Sequence, residues 1–152
     1  KDKLNNQLLF MLNNKIEFCY TSYSIINKKN SIIKFIKAKK NIDYKDLIKS
    51  CDIGLSTVML KKKLLKKTKF TKITTKEDFI LWLKLSKKNI KMVGLDQKLV
   101  LWRKLDNSLS SSIFQRVKDA FYVYNTFLKF NLIKTTYHIF LISLNSLRKR
   151  YL

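Results

Sequence analysis

Proline is absent from this chain of 152 residues, and glycine occurs only at Gly54 and Gly94. Both shortages argue against a loop-rich protein. The turns have to be built from Asn, Asp, Ser and Lys, with long helices between them. Histidine is represented by His138 alone, and the two cysteines, Cys19 and Cys51, form no CxxC pair. A structural zinc site needs more ligands than these residues supply, so two buried thiols in a reducing compartment are expected instead. Long apolar runs are missing as well. No signal peptide is visible at the start, and the longest mainly apolar stretch near the end, 137–147, is too short to span a bilayer.

Acidic residues are scarce: 10 Asp and Glu stand against 33 Lys and Arg, a net charge of +23. Such a chain attracts nucleic acid, anionic membrane surfaces and phosphorylated substrates. Arginine, however, is confined to Arg103, Arg116, Arg148 and Arg150. A sequence reader of nucleic acid relies on the bidentate contacts that Arg makes and Lys cannot. The charge therefore reads in part as compositional drift toward Lys, and no specific nucleic acid is expected as a partner. What is present is globular: 46% hydrophobic and 12% aromatic residues in a length that suits one domain. The chain begins with Lys1 and not Met, as a fragment or a processed product would.

Periodicity predicts a helix over 3–14, with Leu4, Leu8, Met11 and Leu12 on one face, and a strand over 16–23. A turn at 27–31 leads to a short strand at 32–36. Asp43 is placed to cap a helix over 43–50. A strand is expected at 53–60 and a basic helical turn at 61–67. Thr75 is placed to cap a helix over 76–87 whose apolar residues cover more than half its circumference, which marks it as heavily buried. A strand at 98–102, a turn at Asp106-Asn107-Ser108 and two helices joined near Asn131 complete the chain. The order predicts an α/β fold with an incomplete sheet, changing character near Ser110. Within the tail, Lys134 and Arg148-Lys149-Arg150 flank the apolar run. Two readings stay open: a helix lying on an acidic membrane surface, or a core-packed helix with a solvated end.

The stretch from Thr75 to Trp82 carries the chemistry. Two of the few carboxylates, Glu77 and Asp78, stand side by side at the start of the most apolar helix. One reading is structural: Thr75 with Asp78 three residues on resembles a capping box, and first-turn carboxylates favour the helix dipole. The other makes Asp78 a general base at the rim of a pocket, oriented and kept anionic by the helix N-terminus.

Glu77-Asp78-Phe79-x-x-Trp82 resembles the "ED…W" motif of family 2 glycosyltransferases of the GT-A fold. Three further stretches resemble that family in the same order: Lys3-Leu4-x-x-Gln7-x-x-Phe10-Met11, Gly54-Leu55-Ser56-Thr57-Val58-Met59, and Leu101-Trp102-Arg103 followed by Asn107-Ser108-x-Ser110. The resemblance implies that residues 1–110 are the acceptor-side second half of a GT-A domain, without the DXD nucleotide-binding half, and that 111–152 form a basic helical extension. It implies Asp78 as catalytic base, and Glu77, Ser56, Thr57, Trp82 and Arg103 as substrate-binding residues. Trp82 at its helical spacing also reads as core, Arg103 could equally meet a phosphate or a carboxylate, and Ser56 and Thr57 could equally be satisfied backbone-bound hydroxyls. Many relatives carry a His two residues after the Arg, where this chain has Leu105, so no donor-phosphate role is expected at that position.

The whole enzyme implied in this way inverts a sugar from a nucleotide-sugar donor onto a glycan or lipid-linked acceptor, in cell-surface polysaccharide synthesis. It would use a divalent metal (Mg or Mn) with ligands mostly in the missing half; the 152 residues alone would be inactive. Its place would be cytoplasmic, in peripheral contact with the anionic inner face of the inner membrane. The rival reading is a basic module without catalysis, binding nucleic acid or a membrane surface through Lys61-Lys62-Lys63, Lys66-Lys67 and Lys87-Lys88.

Overall fold

The computed structural model describes residues 2–66, 68–73, 75–105 and 112–151, the side chains of 149–151 excepted. Lys67, the turn at Asp106-Asn107-Ser108, the boundary near Ser110 and the side chains of Lys149 and Arg150 lie outside the described residues.

The fold is α/β, as the order of elements predicts. Its axis is β1 (Phe18–Ile26), antiparallel to β2 (Ile32–Ile36) and to β4 (Met59–Leu60), and parallel to β5 (Met92–Arg103). The far edge is β3 (Asn41–Ile42), antiparallel to β5, giving the order β2-β1-β5-β3. A parallel pair needs a long crossover. Between β1 and β5 the chain runs through α2 (Tyr44–Leu47), α3 (Lys63–Lys66) and α4 (Glu77–Lys87). Because helices and loops cover both faces, β1 is buried almost throughout, its polar residues included. The Ser22 hydroxyl accepts from the Ala38 N–H (2.9 Å) and donates to the Asp96 carboxylate (2.8 Å). The chain passes so close to β5 at Gly94 that a Cβ there would lie 2.0 Å from the Lys39 carbonyl oxygen. Only glycine fits.

α4 carries the core. Phe79, Ile80, Leu81, Trp82, Leu83 and Leu85 are all buried, as its near-continuous apolar surface predicts. α1 (Lys3–Asn13) differs: it buries Gln7 and Met11, while Leu4, Leu8, Leu9 and Leu12 are about half exposed or more. Of the expected apolar face of this helix, only Met11 is buried.

Scarcity of glycine shows in the backbone. Among the described residues the left-handed positions are Lys15, Asn30, Lys76, Asn89 and Lys129, and neither glycine takes one. Asn tolerates that region; Lys there costs roughly 1–2 kcal/mol.

The tail is α5 (Ile113–Phe121), a wider π-helical turn (Tyr122–Phe127) and α6 (Leu132–Tyr151). Ser112 caps α5 by accepting from the Gln115 N–H. Ala120, Val123, Tyr124, Leu128 and Ile142 join the same core as α4. The Tyr124 hydroxyl (2.9 Å) and His138 Nδ1 (3.2 Å) both meet the Ile48 carbonyl, and the Asn145 amide donates to the Lys49 carbonyl (2.9 Å). The tail so satisfies carbonyls left open just after α2. α6 buries Thr135, His138 and Ile142 but exposes Leu132, Ile133, Tyr137 and Phe140. No helix among the described residues is long and apolar enough to cross a membrane.

Several boundaries differ from expectation. β1 runs 18–26 where 16–23 is expected, and β5 begins at Met92 and not at residue 98. The strand expected at 53–60 shrinks to Met59–Leu60, preceded by a single 3-10 turn at Leu55–Thr57. The Thr57 N–H (2.9 Å) and hydroxyl (2.6 Å) both donate to the Gly54 carbonyl, closing the turn against extension. Cys19 is buried, but Cys51 is only partly buried.

Candidate functional site

A cleft of about 810 Å³ opens where the 3-10 turn, the start of α4 and the end of β5 converge. It brings together Ser56, Thr57, Glu77 and Asp78 from four of the expected site positions, and adds Lys76 and Trp102. Trp82 and Arg103 are elsewhere. The Trp82 ring is 1% exposed, packs edge-to-face on Phe18 at 5.0 Å and donates its indole N–H to the Ile53 carbonyl at 3.3 Å. It supports the cleft from behind and cannot stack on a sugar. Arg103 braces the β1–β2 turn, donating to the Asn27 carbonyl (3.0 Å) and to the Asn30 side chain (2.8 Å). Both of these acceptors are uncharged amide oxygens.

Asp78 stands in the first turn of α4, with Oδ1 accepting from the Phe79 N–H at 2.7 Å. Burial raises its carboxyl above the ordinary carboxylate range, opposed by that N–H; adjacent Glu77 raises it further and Lys76 lowers it. A carboxylate with a raised pKa is a better proton acceptor than one in water, and its position on a helix N-terminus fixes its direction.

The capping box expected of Thr75 does not form. The residue before α4 is Lys76, held left-handed at φ 66°, with no side-chain cap. Thr75 instead turns to Asp119 on α5: its N–H donates to Oδ2 at 3.1 Å, and its hydroxyl to the same oxygen. The Gln115 amide donates to the other Asp119 oxygen at 2.9 Å. A buried carboxylate from the tail thus fixes the loop that presents Glu77 and Asp78.

The opposite wall has a similar support. Gln7, buried in α1, donates to the Thr57 carbonyl at 2.9 Å and holds the 3-10 turn in place. The Thr57 hydroxyl is consumed inside the turn, while Ser56 is exposed to the cleft. Asp52, also lining the cleft, pairs with Lys39 at 3.1 Å. Sequence reasoning missed Asp119, Trp102 and Asp52. Asp119 could have been suspected as an acidic residue on the otherwise apolar side of a tail helix, and Trp102 as the aromatic beside Arg103 at a strand end. Among the described residues, no three of His, Cys, Asp and Glu come together as a metal site would need.

No protein-family profile matches the chain. It is 31% identical, over 99% of its own length, to a Bacillus subtilis protein named as a glycosyltransferase of teichuronic acid biosynthesis, TuaG, and covers 60% of that protein. Two Escherichia coli proteins named as UDP-Glc:alpha-D-GlcNAc-diphosphoundecaprenol beta-1,3-glucosyltransferases are similar too. WfgD is 35% identical over 90% of the chain, which covers 53% of it; WfaP is 32% identical over 76%, covering 45%. The chain therefore spans about half the length of the curated relatives it matches.

Proposed function

The chain belongs to the bacterial glycosyltransferases, and from that premise we propose that it is the acceptor-side part of a family 2, GT-A enzyme in which Asp78 is the catalytic base. The whole enzyme transfers a sugar from a nucleotide-sugar donor to a glycan or lipid-linked acceptor. Asp78 takes the proton of the acceptor hydroxyl as its oxygen bonds to the anomeric carbon. The bond to the nucleoside diphosphate breaks on the opposite side, the diphosphate leaves with the electron pair, and the configuration inverts. Glu77 and Lys76 flank the base, Ser56 meets the acceptor, and exposed Trp102, in place of Trp82, offers the sugar an aromatic face. The divalent metal, Mg or Mn, that the resemblance implies finds no ligand cluster among the described residues. The same reading assigns its ligands mostly to the half of the relatives that this chain does not span.

The observation that carries this reading is a half-buried carboxylate with a raised pKa, aimed by a helix N-terminus into a cleft beside a serine and a tryptophan. In the whole protein, Asp78→Asn should lower kcat by about 100-fold or more with KM for the acceptor little changed. Near-native transfer by this variant would sink the reading. Stability separates lost chemistry from lost folding. A carboxyl raised in the folded state contributes stability below its unfolded pKa, about 3.9, and loses it as pH rises through the folded value. Asp78→Asn should therefore melt no lower than the parent at neutral pH, with any advantage fading toward acid.

The same reading assigns the protein to the cytoplasmic face of the inner membrane, as a peripheral visitor. Exposed Leu132, Ile133, Tyr137 and Phe140 on α6, with Lys134 among them, suit insertion between anionic headgroups. Equal retention by neutral and anionic vesicles would remove the electrostatic part of this placement.

A further inference from the structure

A second concavity, of about 390 Å³, runs between α5 and α6. Much of its wall is apolar: Ile113, Val117 and Ala120 from α5 face Ile139, Ile142 and Leu147 from α6. Ile113 and Leu147 leave much of their surface open to water, which a closed helix pair would not do. The groove is continuous with the Asp78 cleft, since Cys51, Lys76 and Ser146 line both.

Two cations, Lys76 and Arg116, stand in this lining together with the hydroxyls of Ser50, Ser143 and Ser146. Arg116 Nε is buried and has no hydrogen-bond partner among the described residues. Asp119, one turn further along α5, is engaged by Thr75 and Gln115 and leaves that donor unmet. A buried guanidinium donor without an acceptor is costly unless an anion completes it. The combination of apolar walls and an unmet cationic donor, beside a catalytic cleft, defines an amphiphilic anion with one long apolar arm.

We infer that the α5–α6 groove binds the polyprenyl diphosphate portion of the acceptor, its diphosphate on Arg116 and Lys76 and its first isoprene units between Ile113, Val117, Ile142 and Leu147. This rests on the acceptor being lipid-linked, as in the reading above. The sugar at the end of the diphosphate then reaches Asp78 through the shared wall at Lys76 and Ser146. The groove selects the lipid carrier, and the cleft performs the transfer.

Farnesyl diphosphate is the probe, with calorimetry on the whole protein as the readout. It should bind about tenfold tighter than either farnesol or inorganic diphosphate, because each supplies one half of the recognition. Arg116→Gln should weaken it by about tenfold, the worth of one hydrogen bond to a charged group. Ser143→Trp, an exposed position that fills the groove without touching the core, should weaken it at least as much. Excess UDP should leave the affinity unchanged. Displacement by UDP would assign the diphosphate to the donor site and overturn the inference. So would equal binding of the three probes, or unchanged affinity in both variants. If Ser143→Trp instead reduces only retention on phosphatidylglycerol vesicles, the face is a bilayer contact and the lipid-carrier assignment fails. Asp78→Asn should bind farnesyl diphosphate normally. Full transfer by that variant with intact groove binding would reject the base while leaving the groove standing.

Discussion

α1 and α4 are both eleven residues long, and both end in the same closure. After α1 the Lys15 and Ile16 N–H groups return to the Leu12 and Met11 carbonyls; after α4 those of Asn89 and Ile90 return to Ser86 and Leu85. In each the residue in the left-handed position is the one the motif requires there. Yet α4 buries seven of its residues and α1 only two. The two helices are similar as local structure and opposite as packing. Local sequence fixes where a helix starts and stops; what covers it is decided by partners far away in the chain. α4 has the sheet, the 3-10 turn and the tail around it. α1 has one contact line, through Gln7 and Met11, and presents Leu4, Leu8 and Leu12 outward.

Substitutions can sharpen that contrast. Trp82→Ala, deep in α4, should cost about 3–5 kcal/mol in denaturant unfolding, enough to unfold a marginal domain. Asp119→Ala should cost about 2 kcal/mol, because Thr75 and Gln115 lose a charged acceptor. It should also lower transfer activity beyond its effect on stability, since the loop bearing Glu77 and Asp78 is released. Rescue of activity by Asp119→Asn, with an oxygen still offered to Thr75, would support positioning over charge. Lys15→Gly should stabilise by about 1 kcal/mol, whereas Asn89→Gly gains less because Asn already tolerates φ > 0. Leu8→Ser on α1 should change stability by less than about 0.5 kcal/mol. A loss of several kcal/mol there would mean that α1 is covered in solution and would dissolve the comparison.

The same division governs what could be read in advance. The bounds of β2, the Asp43 cap and the burial of α4 follow from near neighbours in sequence, and all are visible in the chain. The region 53–60 is rich in β-formers, but Thr57 folds back on Gly54 and Gln7 holds it there, from 50 residues away. Thr75 matches a capping pattern, but a buried carboxylate 44 residues later competes for its hydroxyl and wins. Trp82 sits in the motif but packs inward on Phe18, whereas Trp102, at the end of β5, lines the cleft. The cleft was legible as a set of residue types, and its supports were not, because they are long-range contacts.

The Asp119–Thr75 link also sets an order of events during synthesis. Glu77 and Asp78 leave the ribosome well before Asp119 does, and until the tail emerges the Thr75 loop has no anchor. The Ile48 and Lys49 carbonyls wait longer still, for partners 76 to 96 residues downstream. A nascent chain that ends after β5 therefore lacks the Asp119 contact that holds the acidic wall. On the proposed reading the tail would act as a timer, the site becoming competent once the helices that finish it have docked.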